Sequence, residues 1–487
     1  MESNTKSEKQ KIFEKNTEDT DAFNNFMNTL FSEISKKKLS FLKDTKLKKE
    51  DIIKNMENNS KLLFNFIIKL DENQNKEIYQ CLSSIFGAFL GDAIGAYCEF
   101  RGADYNNCNK IYKGNPIFGD QAGQVTDDSE MAMSNGFSLM DNPYLEEINA
   151  DFCYYYYGLW HVSKPRDEGI TTRKALKSFQ AKEFNPEKKN NYEKAFQKIK
   201  QSNSNSLANG FLMRTSPFIV WCYFRFKNKI LSILETNNPN PKDLFSLFEI
   251  IKNEARKDDI CTHPNDSLPV SHSIFCIMAL GAICKLEPAQ IVNIIEILLQ
   301  NDYFQKSHDK KITDIKDMIM NELNYYKNDG KKILIQTQSS YTYFTSGTNN
   351  VNSHMGFYFH AFRLTLYYLY FFNEIKEEKK FNKIRTIMNQ ICNFGGDTDT
   401  NAAIVGTVIG PLIGYKNFGG EFEKMVTLIP KNRFIYSPFF MIIYVYFIKA
   451  NIDNKGKLNY NFLKMFLTAT FDKIDVNNIN NIFTKFN

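Results

Sequence analysis

Two apolar segments, far apart in the chain, carry small residues at four-residue spacing. In FGAFLGDAIGAYCEF (residues 86–100), Gly87, Gly91 and Gly95 recur at every fourth position, and Gly406 and Gly410 repeat the interval later. Positions four apart form one stripe on an α-helix. A glycine inside a helix costs about 1 kcal/mol relative to alanine. Three in one stripe therefore call for a compensating gain, which close approach of another backbone supplies. The stripes predict helices packed backbone to backbone.

Helical periods dominate elsewhere. SEMAMSNGFSLM, SIFCIMALGAIC, AQIVNIIEILLQ and GFYFHAFRLTLYYLYFF all follow the 3.6-residue pattern. Sustained alternation is rare, and KKILIQTQ (residues 331–338) is the best strand candidate. The fold class expected is all-α. Residues 1–78 read as a polar Lys/Asn-rich extension, 79–430 as one large domain, and 431–487 as C-terminal helices packed on it. Phe434–Ile448 is the most apolar run, but Pro438 interrupts it and it is short for a membrane span.

The chain has 487 residues, a net charge of +6 and nine scattered cysteines without a Cys-x-x-Cys pair. Such a balance suits an acidic ligand and gives no ground for a nucleic-acid partner. The cysteine pattern fits a reducing compartment. The first residues lack an apolar signal segment. A soluble cytoplasmic protein is expected, with the nucleus as an alternative and no membrane partner. The sequence does not fix the oligomeric state; a monomer is the simpler expectation.

Three acidic stretches carry the chemistry. Asp92 and Glu99 are seven residues apart, so they share one helical face, about 10 Å apart along the axis. Thr126, Asp127 and Asp128 precede a helical period, and Asp397, Asp399 and Thr400 precede another. Each group alone fits helix capping, since Thr and Asp are good N-caps and acids suit a first turn. Taken together they form an oxygen-only set without His or Cys, which suits hard cations such as Mg²⁺, Mn²⁺ or Ca²⁺. Two aspartates one residue apart could each reach a different ion or bridge a pair.

The stretches GDAIGAYCEF, TDDSEMA and GGDTDTNAAIVG together resemble those of the ADP-ribosylglycohydrolases, the group that includes dinitrogenase-reductase-activating glycohydrolase. KPRDEGITTRKAL (164–176), NSLANGFLMRTSP (205–217) and CTHPNDS (261–267) match further family segments in order. The likeness runs from about residue 79 to about 430. It implies a compact all-α domain with a central cleft holding two Mg²⁺ (or Mn²⁺) ions. It also implies hydrolysis of ADP-ribose from a modified arginine, serine or small ADP-ribosyl compound. Carried over, Thr126, Asp127, Asp128, Asp397, Asp399 and Thr400 are the metal ligands. Ser206, Asn209 and Gly210 fall where the family contacts diphosphate and ribose. Gly169 and His263 fall on loops that line the cleft. Asp128 and Glu99 are the two candidates for proton transfer, unranked. The competing readings are a non-catalytic ADP-ribose-binding or structural protein on the same fold, and a metal-dependent hydrolase of a related nucleotide.

The remaining signals are weak. NIDNKGKLNYNFLKMFL (451–467) half-matches a calcium loop but has Lys455 and Phe462 where oxygen ligands belong. The aromatic run FCYYYYGLW (152–160) reads as core and cleft wall.

Overall fold

The glycine stripes meet each other. The computed structural model describes residues 49–99, 102–103, 113–142, 146–180, 191–236, 238–330, 337–377 and 381–453. Its principal helices are, in chain order, α1 (Lys49–Lys69), α2 (Lys76–Gly95), α3 (Asp127–Asp141), α4 (Ala150–Val162), α5 (Ile170–Leu176), α6 (Ser216–Arg225), α7 (Pro241–Asp259), α8 (Leu268–Ile283), α9 (Tyr358–Tyr370), α10 (Lys383–Phe394), α11 (Thr398–Ile413), α12 (Gly420–Thr427) and α13 (Phe440–Asp453). The architecture is all-α, and no strand occurs among the described residues beyond one isolated bridge, Ala208 with Phe357.

Helices α2 and α11 form the central pair. A Cβ on Gly91 would stand under 3.0 Å from the backbone of Ala402 and Ala403, and one on Gly87 under 3.0 Å from Gly406 O and Gly410 Cα. No side chain fits in either place. Backbone polar groups at this seam are tied across it: Ser84 Oγ donates to Thr407 O at 2.8 Å, and Thr398 Oγ1 to Gly95 O at 2.8 Å. All of α2 from Ile78 to Gly95 is buried. By length and composition that helix could cross a membrane, yet its apolar window lies wholly inside the core.

The other helices wrap this pair. The α9 and α10 helices pack against α11, and α13 lies over α2 and α3, with Tyr444 OH donating to Pro217 O at the start of α6. The run from Phe434 is buried as expected and becomes α13 from Phe440. Residues 49–69, which the sequence places in a polar extension, form α1. Its apolar face (Ile52, Met56, Leu63, Phe64, Ile67) is buried, and Phe64 meets Phe422 of α12. Tyr415 OH donates to Ile67 O at 2.7 Å. Residues 1–48 lie outside the described residues, as do 331–336 of the strand candidate and the calcium-like loop beyond Asp453; Thr337 already opens a helix.

Candidate active site

Helix α2 ends at Gly95, so Asp92 and Glu99 do not share a helical face: Asp92 is in the last turn and Glu99 on the bend that follows. Asp92 is buried and serves α3 from outside. Its two oxygens accept from Thr126 N at 3.0 Å, Thr126 Oγ1 at 2.9 Å, Ser129 N at 3.1 Å and Ser129 Oγ at 2.5 Å. These bonds satisfy first-turn donors that a helix normally leaves open. Capping by the local side chains is therefore not what the acids do. Neither Thr126 before α3 nor Asp397 before α11 makes a side-chain cap bond.

Asp127 and Asp128 are freed by that arrangement. Asp128 Oδ2 accepts from Thr126 Oγ1 at 3.1 Å, and its Oδ1 is buried without a partner. The Thr126 hydroxyl lies 2.9 Å from Asp92, 3.1 Å from Asp128 and 3.4 Å from Asp399. One hydrogen cannot serve three carboxylates that only accept. The pocket has a surplus of acceptors, which protons or cations must meet.

The carboxylates form two overlapping groups. Oxygens of Asp92, Asp128 and Asp399 lie within 4.8 Å of one another, and so do oxygens of Glu99, Asp397 and Asp399. Asp399 belongs to both. Small residues bring it there: a Cβ on Gly95 would lie 2.5 Å from Thr398 O and 2.6 Å from Asp399 N. Gly395 and Gly396 turn the chain into α11 with φ of 75° and 78°, a region costly for other residues. Asn115 Nδ2 donates to Glu99 Oε2 at 3.0 Å, and Asn209 Nδ2 to Asp397 Oδ2 at 2.7 Å. Burial, then the neighbouring acids, push Asp128 and Asp399 well above the usual carboxylate range. Burial and the charges of Asp397, Asp167 and Asp127 push Glu99 up to about 9. Burial holds Asp92 at about 6, with the four hydrogen bonds from Thr126 and Ser129 pulling the other way. Such a cluster resists full ionisation unless a cation joins it.

Above the acids opens a cleft of about 520 Å³. Glu99, Asp127, Asp128, Asp397, Asp399 and Thr400 are on its floor side, while Thr126 is buried beneath. Gly169, Asn209, Gly210 and His263 line it as well. Ser206 does not line it; its Oγ shares a 3.0 Å hydrogen bond with Thr171 Oγ1 and accepts from Ala208 N at 3.4 Å. Gly210 has to be glycine, because a Cβ there would lie 2.9 Å from His263 Cε1. No member of the aromatic run 152–160 lines the cleft; the run is mostly core.

Asp167 is the residue that sequence reasoning missed. It lines the cleft, and the residues on either side fasten its loop. Arg166 Nη1 pairs with Asp120 at 2.5 Å, and Glu168 takes His161 Nδ1 at 2.6 Å and Arg173 Nε at 3.2 Å. Arg433 holds the start of the loop through Ser163 O at 3.0 Å while pairing with buried Glu130. Charged residues crowd around Asp167 in KPRDEG, but their meaning depends on partners from other segments. Met355, Gly356 and Gly396 also line the cleft unannounced. A second cavity of about 820 Å³ adjoins it, sharing Ala208, Met355 and Gly356 as a saddle.

A family description, ADP-ribosylglycohydrolase, matches residues 74–424. This chain belongs to the ADP-ribosylglycohydrolase family. Among its relatives is a protein of Acanthamoeba polyphaga mimivirus named as an ADP-ribosyl glycohydrolase, 24% identical over 339 residues, which covers 68% of this chain and 86% of that one. The ADP-ribosyl–dinitrogen reductase glycohydrolase of Rhodospirillum rubrum is 33% identical over 104 residues, 20% of this chain and 34% of its own length. A solved structure titled an ADP-ribosylglycohydrolase-related protein complex superposes with a TM-score of 0.48 and 15% identity, covering 77% of this chain and 98% of that one. Family membership and the acidic cleft coincide: all the acids described lie within the matched residues.

Proposed function

We propose that this protein is a hydrolase that removes ADP-ribose from a modified side chain or small acceptor, with two Mg²⁺ or Mn²⁺ ions at the acidic cluster. The observation that carries this is Asp399, common to two groups of close carboxylates on the floor of an open cleft. The donor set fits hard divalent cations: it is all oxygen, over-supplied with acceptors, and one buried oxygen, Asp128 Oδ1, has no partner. Thr126, Asp127, Asp128, Asp397, Asp399 and Thr400 are the proposed ligand set, and Asp92 supports it from below. Bound there, the ions would hold ribose hydroxyls and offset charge that develops as the anomeric bond breaks.

The chain's own residues do the rest. Gly169, Asn209, Gly210 and His263 hold the ADP-ribose, and Ser206 shapes the loop from behind. Backbone N–H groups in such a Gly-containing loop suit phosphate oxygens. Hydrolysis adds water across the bond from ribose C1 to the acceptor atom. The water's hydroxyl goes to C1, and the leaving atom takes a proton. Glu99 is suited to give that proton, since it lines the cleft beside Asp397 and Asp399 and burial favours its protonated form. Asp128 is then a ligand first. Asp167, on the cleft wall and outside both carboxylate groups, is the candidate for taking a proton from water. Exposed Ile170, Leu207 and Met355 line the cleft or its neighbouring cavity and offer apolar contacts to an acceptor.

The test is release of ADP-ribose from arginine-linked and serine-linked peptides, with Mg²⁺ and with EDTA, and with Asp399→Ala as control. Metal-dependent release from either peptide supports the proposal. Tight ADP-ribose binding without release from any substrate would instead mark a non-catalytic binder.

A further inference from the structure

One polar atom on the cleft wall has no partner. His263 is buried, and its Nε2 makes no hydrogen bond, although the residue lines the cleft beside Gly210. Its other nitrogen, Nδ1, is 2.8 Å from Thr262 Oγ1. That same oxygen accepts from Arg214 Nη1 at 2.7 Å. A guanidinium only donates, so Arg214 makes Thr262 Oγ1 an acceptor on that side. The single hydroxyl hydrogen of Thr262 then has one acceptor within hydrogen-bond range among the described residues, His263 Nδ1. Were Nδ1 to carry the ring proton, the Thr262 hydrogen and the Nε2 lone pair would both be left unpaired. With the proton on Nε2, only that N–H is unpaired. Each buried unpaired group is costly, so the second arrangement prevails.

Arg214 is rigid enough to impose this. It is fully buried, its Nε donates to Asp258 Oδ2 at 3.0 Å, its Nη2 to Asp258 O at 3.1 Å, and its guanidinium lies 4.3 Å from the centre of the Tyr157 ring. Burial of the ring, and then the Arg214 charge, hold His263 well below the usual imidazole range, which keeps it neutral.

We infer that Arg214 and Thr262 act as positioning residues that lock His263 as the neutral Nε2–H tautomer, which leaves an unpaired N–H beside Gly210 in the wall of the cleft. The ligand atom that meets it is then an acceptor oxygen, of a phosphate or a ribose, and not a donor. The identity of that ligand rests on the ADP-ribose reading; the tautomer does not.

The first measurement is made on the full chain with ¹⁵N-labelled histidine and no ligand, reading ring nitrogen shifts near neutral pH, with His263→Gln to assign the signals. A pyridine-type Nδ1 and a pyrrole-type Nε2 are expected. The reverse pattern, or an imidazolium, overturns the inference. Thr262→Val should release the single tautomer and weaken ADP-ribose binding about tenfold, and Thr262→Ser should restore both. An unchanged tautomer in Thr262→Val also overturns it. Should ADP-ribose fail to bind the wild-type protein, the functional proposal falls, and the ring shifts still decide the tautomer.

Discussion

Alanine at Gly95 separates the role of the helix seam from the role of the site. The added Cβ would lie 2.5 Å from Thr398 O and 2.6 Å from Asp399 N, both backbone atoms in the first turn of α11. Restoring van der Waals distance requires that turn to retreat by about 1 Å. On an isolated helix the change would gain about 1 kcal/mol of propensity. Overpacking in a close-packed interior costs about 1–3 kcal/mol, so the net effect is loss of stability. The functional effect is larger, because Asp399 moves with the turn and a site of this kind tolerates about 0.5 Å. Mn²⁺ affinity is expected to fall at least ~10-fold, the scale seen when groups that orient metal ligands are disturbed. Gly87→Ala is the control. It meets α11 equally closely, at Gly406 and Gly410, about two turns away from Asp399. Calorimetric melting should fall in both variants, and a Mn²⁺ titration followed by electron paramagnetic resonance should weaken only in Gly95→Ala. A Gly95→Ala protein that melts like Gly87→Ala yet binds Mn²⁺ as wild type does would refute the coupling of seam to site.

Three other outcomes follow from the same geometry. Metal-free stability should fall as pH rises. Glu99 at about 9 and Asp92 at about 6 both exceed their unfolded values, so the folded protein keeps protons that the unfolded chain releases. Their contribution is complete below about pH 4 and is lost as pH climbs through those values, so melting temperature in EDTA should drop from pH 5 to 9 and saturating Mg²⁺ should remove much of that slope; a pH-independent curve in EDTA counts against a buried, proton-holding cluster. Asp399→Asn should abolish binding of both ions, whereas Asp397→Asn should spare the one nearer Asp92 and Asp128, as read by calorimetric stoichiometry; equal losses would mean that Asp399 is not shared. Asp167→Asn should leave Mn²⁺ affinity within about twofold, since it lies outside both groups, while lowering kcat by roughly 10²-fold or more if it moves a proton. Unchanged kcat would remove Asp167 from the chemistry.

The amino-acid sequence alone carries the all-α class, the helix seam and most of the acids. Those signals are local: glycines at four-residue spacing, apolar periods, and Asp pairs ahead of helices. Each follows from backbone geometry within one segment. It also marked Gly169, Asn209, Gly210 and His263, which do line one cleft. Which of these groups meet depends on packing between segments far apart in the chain. Capping and metal binding ask for the same residues at a helix start, and no spacing along the chain separates them. The separation came from Asp92 of α2, which takes over the first-turn donors of α3 and leaves Asp128 with an unpaired oxygen. In the same way, the apolar positions of Lys49–Lys69 are too sparse to announce a core helix, and they become one because α12 offers Phe422 to cover them. Asp167 looked like any loop acid until Asp120, His161 and Arg173 fastened the residues beside it. Local pattern fixes what a segment can be, but long-range contacts decide which buried oxygen is left without a partner, and that unpaired oxygen is where chemistry begins.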